Sequence, residues 1–215
     1  MTKLLGLVGL KQHGKDTAAD ILVKQYGFSK IAFADRLKRL CMEQFDLSYE
    51  QVYGNLKEVP DERWKDAKGN PRTSRFILQW LGSEGFRTID PDFWVKALLR
   101  DMPSNGKTVV CDVRFLNEAE AIIQRGGEIW VVDMPDKPSS SSWKDYLLRR
   151  GAYHQSETFA RKLVNAGRRG KFSYILKDFG VQRTISYVPF AYGEPELNET
   201  VIETAWDLLH AGELF

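Results

Sequence analysis

Residues 4–17 read LLGLVGLKQHGKDT, an apolar run followed directly by a glycine-framed turn. Gly9, Gly14 and Lys15 match the spacing G-x-x-x-x-G-K. In that pattern the glycines let backbone N–H groups curl around phosphate oxygens, and the lysine neutralises their charge. The turn therefore predicts a site for a nucleoside triphosphate, with candidate residues Gly9, Lys11, Gly14, Lys15, Asp16 and Thr17.

Asp16 stands in the position that a magnesium-binding Ser or Thr usually holds in such a turn. A carboxylate beside Lys15 adds negative charge where phosphates already crowd, and a divalent cation would offset that cost. The alternative is an acidic residue in the first turn of a helix, stabilised by the helix dipole. The two interpretations are compatible, and Thr17 supplies a hydroxyl nearby.

The composition narrows the class of protein. A chain of 215 residues is long enough for one α/β domain with a small lid or insert. The 31 basic and 29 acidic side chains leave a net charge of +2, too balanced to indicate a protein that coats nucleic acid. Cys41 and Cys111 lie in apolar stretches and predict buried free thiols in a reducing compartment. No apolar run is long enough for a membrane span or a signal peptide, so we expect a cytoplasmic protein.

Strand and helix patterns alternate along the chain, which predicts a parallel sheet covered on both faces. Strands are predicted at residues 4–8, 29–34, 108–113, 128–134 and 172–176. Helices are predicted at residues 15–26, 35–45, 91–101, 117–125 and 197–210, with one more marked by Phe76, Ile77, Trp80 and Leu81. Residues 46–73 are polar, and we expect them to be irregular.

Asp112 ends a β-branched run. A carboxylate at the carboxyl end of a strand beside the phosphate loop lies close enough to hold magnesium or its water shell. Asp16 and Asp112 are therefore the candidate metal ligands, directly or through water.

Five ordered sequence blocks between residue 6 and about residue 180 resemble the phage-type deoxynucleoside monophosphate kinases of the P-loop kinase superfamily. They are Gly14-Lys15-Asp16-Thr17, Ala34-Asp35-Arg36-Leu37-Lys38, residues 75–94 with Arg75, Gln79, Glu84 and Arg87, residues 112–118 with Asp112 and Arg114, and His154-Gln155-Ser156-Glu157. An Asp after the loop lysine is itself a trait of that family. Ser83 departs mildly from the usual threonine, and Asp178-Phe179-Gly180 replaces the usual Asn-x-Gly.

The resemblance implies a three-layer, parallel-sheet P-loop kinase fold in a single domain over residues 1–215. It implies a helical acceptor-binding insert at about residues 46–105 and a basic lid at about residues 135–171. The implied activity is transfer of the γ-phosphoryl group of ATP, with Mg²⁺, to a deoxynucleoside 5'-monophosphate. A phage-encoded enzyme of this kind would act in the host cytoplasm.

Phosphoryl transfer requires cations around two anionic reactants, and arginine suits this because its planar fork binds phosphate oxygens in two directions. The candidate catalytic residues are Lys15, Asp112 and Arg114. The candidate acceptor-binding residues are Lys38, Arg75, Gln79, Trp80, Arg87 and Glu157, and we expect Arg149 or Arg150 in the lid to contact ATP. Trp80 offers a stacking face, although its apolar neighbours favour a core position. His154 and Glu157 either bind substrate or cap the helix near Ser156.

Two alternatives stay open at this point. A phosphomevalonate-type kinase can carry the same loop, although the Gln79 and Arg114 blocks favour a nucleotide acceptor. A non-catalytic, nucleotide-dependent DNA-associated protein would use the basic segment 135–171 on a duplex, which the balanced net charge disfavours. We expect small-molecule nucleotide partners, with no direct nucleic-acid or membrane contact. The aromatic stretch 181–195 leaves open a homodimer surface.

Overall fold

The structure is a computed structural model that describes residues 3–135, 155–169, 185–190 and 198–203. The chain divides into two compact units. The sheet unit comprises Met1–Ile31 and Pro103–Phe215, and the inserted unit comprises Ala32–Met102.

The described residues contain seven strands and nine α-helical segments. The strands are β1 (Lys3–Val8), β2 (Ser29–Ile31), β3 (Pro60–Lys65), β4 (Pro71–Thr73), β5 (Lys107–Val110), β6 (Glu128–Asp133) and β7 (Ile185–Pro189). The helices are α1 (Lys15–Tyr26), α2 (Ala34–Gln44), α3 (Tyr49–Val52), α4 (Ser74–Trp80), α5 (Phe86–Ile89), α6 (Phe93–Asp101), α7 (Leu116–Ile123) and α8 (Gln155–Arg168). A 3₁₀ turn spans Asn55–Glu58 and a π-helical turn spans Leu81–Gly85. Residues 198–203 are also helical.

The sheet unit is built on five strands in the order β2-β5-β1-β6-β7. Every neighbouring pair is parallel, which confirms the predicted parallel sheet. Five consecutive residues of β1 are buried, and so are five of β6. Because successive side chains of a strand point to opposite faces, both faces of the central strands are covered.

The strand order places a crevice beside the loop that follows β1. From β1 the chain passes through α1 to β2, on the side of β5, whereas from β6 it continues to β7 on the other side. The connections therefore diverge between β1 and β6. In open parallel sheets, ligands bind at such a switch point, outside the carboxyl ends of the strands.

Helix α1 begins and ends where the sequence predicts. Gly14 has φ 88° at its start, and Gly27 has φ 71° at its end, a left-handed conformation that glycine adopts without a steric penalty. The buried residues between them, Ala18, Ala19, Ile21 and Leu22, form its apolar face.

The expectation that residues 46–73 are irregular is wrong, because they contain α3 and the antiparallel hairpin β3–β4. The Asp66 carboxylate accepts N–H bonds from Lys68 and Asn70 and closes the hairpin turn. Asp61 is buried and bonded to Arg63, and the Trp64 indole donates to the Phe45 carbonyl at 3.1 Å. The Phe45 partner of Trp64 and the Gln51 partner of Asp61 lie outside the local pattern, which explains why the sequence did not reveal the hairpin.

In the five-stranded sheet, β2 and β5 each end three residues before their predicted bounds, and β7 was not predicted. β2 ends at Ile31 and β5 at Val110, so Asp112 lies two residues beyond its strand. The following chain still runs beside β1, because the Val113 N–H donates to the Leu7 carbonyl at 3.2 Å. The predicted strand 172–176 lies outside the described residues.

β7 falls within the stretch that we considered for a homodimer surface. It pairs with β6, and Val188 and Phe190 are buried in the sheet unit. This part of the stretch is thus a strand of the fold, while the homodimer itself stays a prediction. The prediction of a single domain with an insert and a lid also stays open.

Cys41 and Cys111 are buried free thiols, as predicted. Burial raises the pKa of Cys41 to about 11. Within the described ranges, no helix has both the length and the apolar character that a bilayer crossing requires.

Substitutions at Gly126 and Gly127, in the turn between α7 and β6, test how closely this turn packs against its neighbours. A Cβ on Gly127 would lie 2.8 Å from the Leu4 carbonyl oxygen and 2.9 Å from that of Ile122, whereas the space beside Gly126 is open. We expect Gly127→Ala to lower the free energy of unfolding by about 2 kcal/mol. Gly126→Asn is the matched control and should cost less than about 1 kcal/mol, since Asn tolerates the left-handed conformation. Urea unfolding of both variants measures this, and a larger cost for Gly126→Asn would contradict it.

Candidate phosphate-binding site

The two glycines that frame the loop are required by close contacts within the sheet unit. A Cβ on Gly9 would lie 2.3 Å from the Val132 carbonyl oxygen at the end of β6. A Cβ on Gly14 would lie 2.5 Å from the Phe190 ring, and the φ of Gly14 is also positive. The loop therefore passes directly against β6 and the residue after β7, at the switch point of the sheet.

The ammonium group of Lys15 lies inside the turn. Its Nζ donates to the carbonyl oxygens of Gly9 and Leu10, each at 2.7 Å. Two main-chain carbonyls of the loop thus hold a positive charge at its centre. A phosphate oxygen is a stronger acceptor for an ammonium group than a neutral carbonyl is.

The start of α1 adds N–H donors, which carry partial positive charge, to the positive charge of Lys15. The N–H groups of its first turn have no partner within the helix, and the first intrahelical bond runs from Ala18 N to Gly14 O at 2.8 Å. The helix dipole also places positive partial charge at this end. This arrangement fits a polyphosphate group, because it combines the glycine-framed turn, the Lys15 ammonium group and the N–H groups at the start of α1.

Asp16 is 86% exposed at this helix start, with Lys30 Nζ at 3.6 Å. Burial lowers the pKa of Lys30, but the hydrogen bond to Asp20 and the nearby acidic charges outweigh this effect. The pKa of Lys30 is therefore raised above its usual value. The position fits an acid in the first turn of a helix and leaves the Asp16 carboxylate accessible. Both interpretations of Asp16 therefore stay compatible with the structure.

Asp112 is half-buried beyond β5. In the described part of the chain, no group of three or more His, Cys, Asp or Glu side chains is arranged to hold a metal ion. Magnesium in nucleotide sites takes one or two carboxylates, with substrate phosphates and water completing its shell. One or two carboxylates would thus suffice, and the assignment of Asp16 and Asp112 as metal ligands stays a prediction.

The block around Arg114 is fixed by a buried acid. Glu118 is 2% exposed, and its Oε2 accepts the N–H groups of Arg114 at 2.8 Å and Phe115 at 3.1 Å. This cap satisfies donors at the start of α7 and orients the chain that carries Arg114. Glu118 belongs to the recognised block, but its capping role was not predicted.

A second buried acid, Asp133, lies at the end of β6. Its side chain is fully buried and accepts bonds from Arg168 Nε at 2.6 Å, Arg168 Nη2 at 3.0 Å and the Tyr187 hydroxyl at 2.7 Å. His13 Nδ1 of the phosphate loop lies 2.9 Å from Asp133 Oδ1. Burial alone would raise the pKa of Asp133, but the bonds from His13, Arg168 and Tyr187 outweigh it and hold that pKa well below its usual range.

No local sequence pattern marks the contacts of Asp133 with Tyr187 or with Arg168, which was predicted only as part of the basic lid segment. Burial and the Asp133 carboxylate together raise the pKa of Tyr187 to about 12. The only local signal was an acid that ends an otherwise apolar strand, the same signal that drew attention to Asp112.

Three predicted acceptor-binding cations lie in the inserted unit and have partners there. Arg75 pairs with Glu58. Arg87 donates from Nε to the Gly82 carbonyl at 3.1 Å and from Nη1 to that of Pro91 at 3.0 Å. Lys38 Nζ lies 4.7 Å from the centre of the Tyr53 ring. Arg87 thus stabilises the π-helical turn and the chain before α6.

The expectation that Trp80 is a core residue is wrong, because it is 50% exposed on α4. The ring packs against the π-helical turn, and a Cβ on Gly85 would lie 3.2 Å from Trp80 Cζ3. Ile77 supplies the buried contact of this helix instead. Gln79, next to Trp80, is exposed as well.

The lid candidates Arg149 and Arg150, together with His154, lie outside the described residues. Glu157 belongs to α8, but its side chain is also outside the described part. Their predicted roles are therefore untested.

One curated relative is similar over most of its length. It is "Putative deoxynucleotide monophosphate kinase" of Acanthamoeba polyphaga mimivirus, 38% identical over 149 residues, which cover 61% of this chain and 74% of the relative. No protein-family model matches the chain.

Two solved structures also align along the chain. Dephospho-CoA kinase from Campylobacter jejuni gives a TM-score of 0.41 at 12% identity and covers 96% of this chain and 97% of its own. TT1252 from Thermus thermophilus gives 0.38 at 14% identity and covers 100% and 97%. These scores are too low to support a conclusion.

The match to the mimivirus protein agrees with the resemblance found in the sequence blocks, and it includes about three quarters of that relative. The chain belongs to the deoxynucleotide monophosphate kinase family and is a nucleotide kinase.

Proposed function

We propose that the protein transfers the γ-phosphoryl group of ATP to a deoxynucleoside 5'-monophosphate and releases ADP. The observation that carries the proposal is the Lys15 ammonium group, held by the Gly9 and Leu10 carbonyls inside a glycine-framed turn. The similarity to a protein named as a deoxynucleotide monophosphate kinase supports the choice of acceptor.

On the phosphate side, Lys15 would exchange its two carbonyl partners for phosphate oxygens. The first-turn N–H groups of α1 would donate to the same oxygens, and neither group needs to reorganise far. When bound, magnesium supplies further neutralisation of phosphate charge, and Asp16 and Asp112 are the residues proposed to hold it or its water shell. In the lid segment we propose that Arg149 or Arg150 contacts ATP and excludes water.

Direct transfer needs no covalent protein nucleophile. The described cysteines agree with this, because both are buried and the raised pKa of Cys41 keeps its thiol protonated at neutral pH. The chain's residues are thus proposed to bind, orient and neutralise the reactants.

On the acceptor side, we propose that the inserted unit binds the monophosphate. Arg75 is half-buried and its partner Glu58 is 65% exposed. Exposed ion pairs of this kind contribute little to stability, so Arg75 can exchange Glu58 for a phosphate at small cost. Gln79 would bond to a base edge and Trp80 would offer a stacking face, since both are exposed on α4.

A substrate screen tests the proposed reaction. We expect ADP release from ATP with at least one of the four common deoxynucleoside monophosphates, and none above background with phosphomevalonate. Lys15→Ala should lower turnover about 10²-fold or more, since it removes a charge aimed at the transferring group. Lys24→Ala, an exposed lysine on the same helix, is the matched control and should retain turnover. A coupled ADP assay gives all four results.

Phosphomevalonate as the preferred acceptor would replace the proposed function with the first alternative. Absence of turnover together with DNA binding that weakens steeply with salt would favour the second. Normal turnover of Lys15→Ala would contradict the role of the loop.

The acceptor assignment has a matched pair of arginines. Arg75→Ala should raise the KM for the monophosphate about tenfold and leave the KM for ATP within about twofold, as expected for loss of a charged hydrogen bond. Arg72 lies close by but stacks on Phe76 at 4.2 Å and pairs with Asp66, so Arg72→Ala should leave both KM values unchanged. Equal changes in both KM values for Arg75→Ala would count against the assignment.

A further inference from the structure

The Asp133 carboxylate is a buried, heavily bonded group of the sheet unit, and no step proposed above uses it. Among the described residues, all four of its principal acceptor positions are filled. Oδ1 faces His13 Nδ1 and Arg168 Nη2, and Oδ2 faces Arg168 Nε and the Tyr187 hydroxyl. Arg168 and Tyr187 are components of α8 and β7, whereas His13 belongs to the phosphate loop.

The proton between His13 and Asp133 can be assigned. His13 Nδ1 lies 2.9 Å from Asp133 Oδ1 and 3.3 Å from the Met134 main-chain nitrogen, and one nitrogen cannot both donate to the first and accept from the second. The ion pair with Arg168 and the bond from the Tyr187 hydroxyl favour the ionised form of Asp133. We therefore place the proton on Nδ1, since an unprotonated nitrogen would face a negative oxygen.

His13 sits in the loop at a point where the backbone is conformationally costly. Gln12, the preceding residue, has φ 62°, in the left-handed region that residues other than glycine rarely adopt. Two residues later the chain enters α1 at Lys15. An anchor at His13 therefore restricts the backbone that presents both the lysine and the first N–H groups of the helix.

We propose that Asp133 is a positioning residue that holds the phosphate loop in its binding conformation through His13. The inference rests on the proposed function of the loop as a polyphosphate site. His13 acts from behind the loop, because its side chain is bonded to the end of β6 and is only 14% exposed. Neither residue is assigned a contact with substrate.

Two substitutions of His13 separate positioning from general stability. His13→Leu has a similar volume and removes the donor. His13→Asn places an amide N–H where Nδ1 stands and should restore the bond. Titration calorimetry with ADP needs no acceptor, so it reads the loop directly. We expect His13→Leu to weaken ADP binding about tenfold, or about 1.4 kcal/mol, and His13→Asn to bind within about threefold of the unsubstituted protein.

Tyr187→Phe is the control on the same carboxylate, because it removes one bond to Asp133 and leaves His13 and Arg168 in place. It should change ADP affinity less than about twofold while lowering the melting temperature. Asp133→Asn tests the other partner and should weaken ADP binding as well. If that variant does not fold, the His13 pair still decides the question.

Unchanged ADP affinity in His13→Leu would overturn this inference but leave the proposed function in place. Equal losses in His13→Leu and Tyr187→Phe would also overturn it, since the cluster would then act through the stability of the sheet. Failure of the unsubstituted protein to bind ADP would overturn the proposed function, and this inference with it.

Discussion

The close approach of Gly9 to the Val132 carbonyl is the constraint on which the site depends. Because a Cβ would lie 2.3 Å from that oxygen, only glycine lets the chain leave β1 in this direction. The same passage brings Gly14 against Phe190 and His13 against Asp133. The loop is thus fixed by β1, by the end of β6 and by the residue after β7, at the point where the connections of the sheet diverge.

The backbone path of the loop determines where the charged groups of the site lie. The loop turns its carbonyls toward Lys15 and so gathers positive charge at the carboxyl end of β1, next to the start of α1. Asp133, which contacts His13 from the end of β6, is buried and ionised. The guanidinium group of Arg168 neutralises its negative charge. When all acceptor positions of a buried carboxylate are filled, its partners are held in one arrangement. Removal of one partner leaves a buried polar group unsatisfied, which lowers the stability of the fold.

Local signals explain what the sequence could predict. Gly9, Gly14 and Lys15 lie within seven residues of one another, so the loop and α1 were identified almost to the residue. Asp133 contacts partners 35 and 120 positions away, and no local pattern marks them. The hairpin was missed because Trp64 and Asp61 find their partners on Phe45 and Gln51. Trp80 was misplaced because neighbouring apolar residues do not reveal which side of a short helix is covered.

A crystal structure with a non-hydrolysable ATP analogue tests the central claim most directly. We expect Lys15 Nζ to lie about 3 Å from β- and γ-phosphate oxygens, released from the Gly9 and Leu10 carbonyls. The first-turn N–H groups of α1 should donate to the same phosphates. Phosphates bound elsewhere, with Lys15 still on both carbonyls, would contradict it.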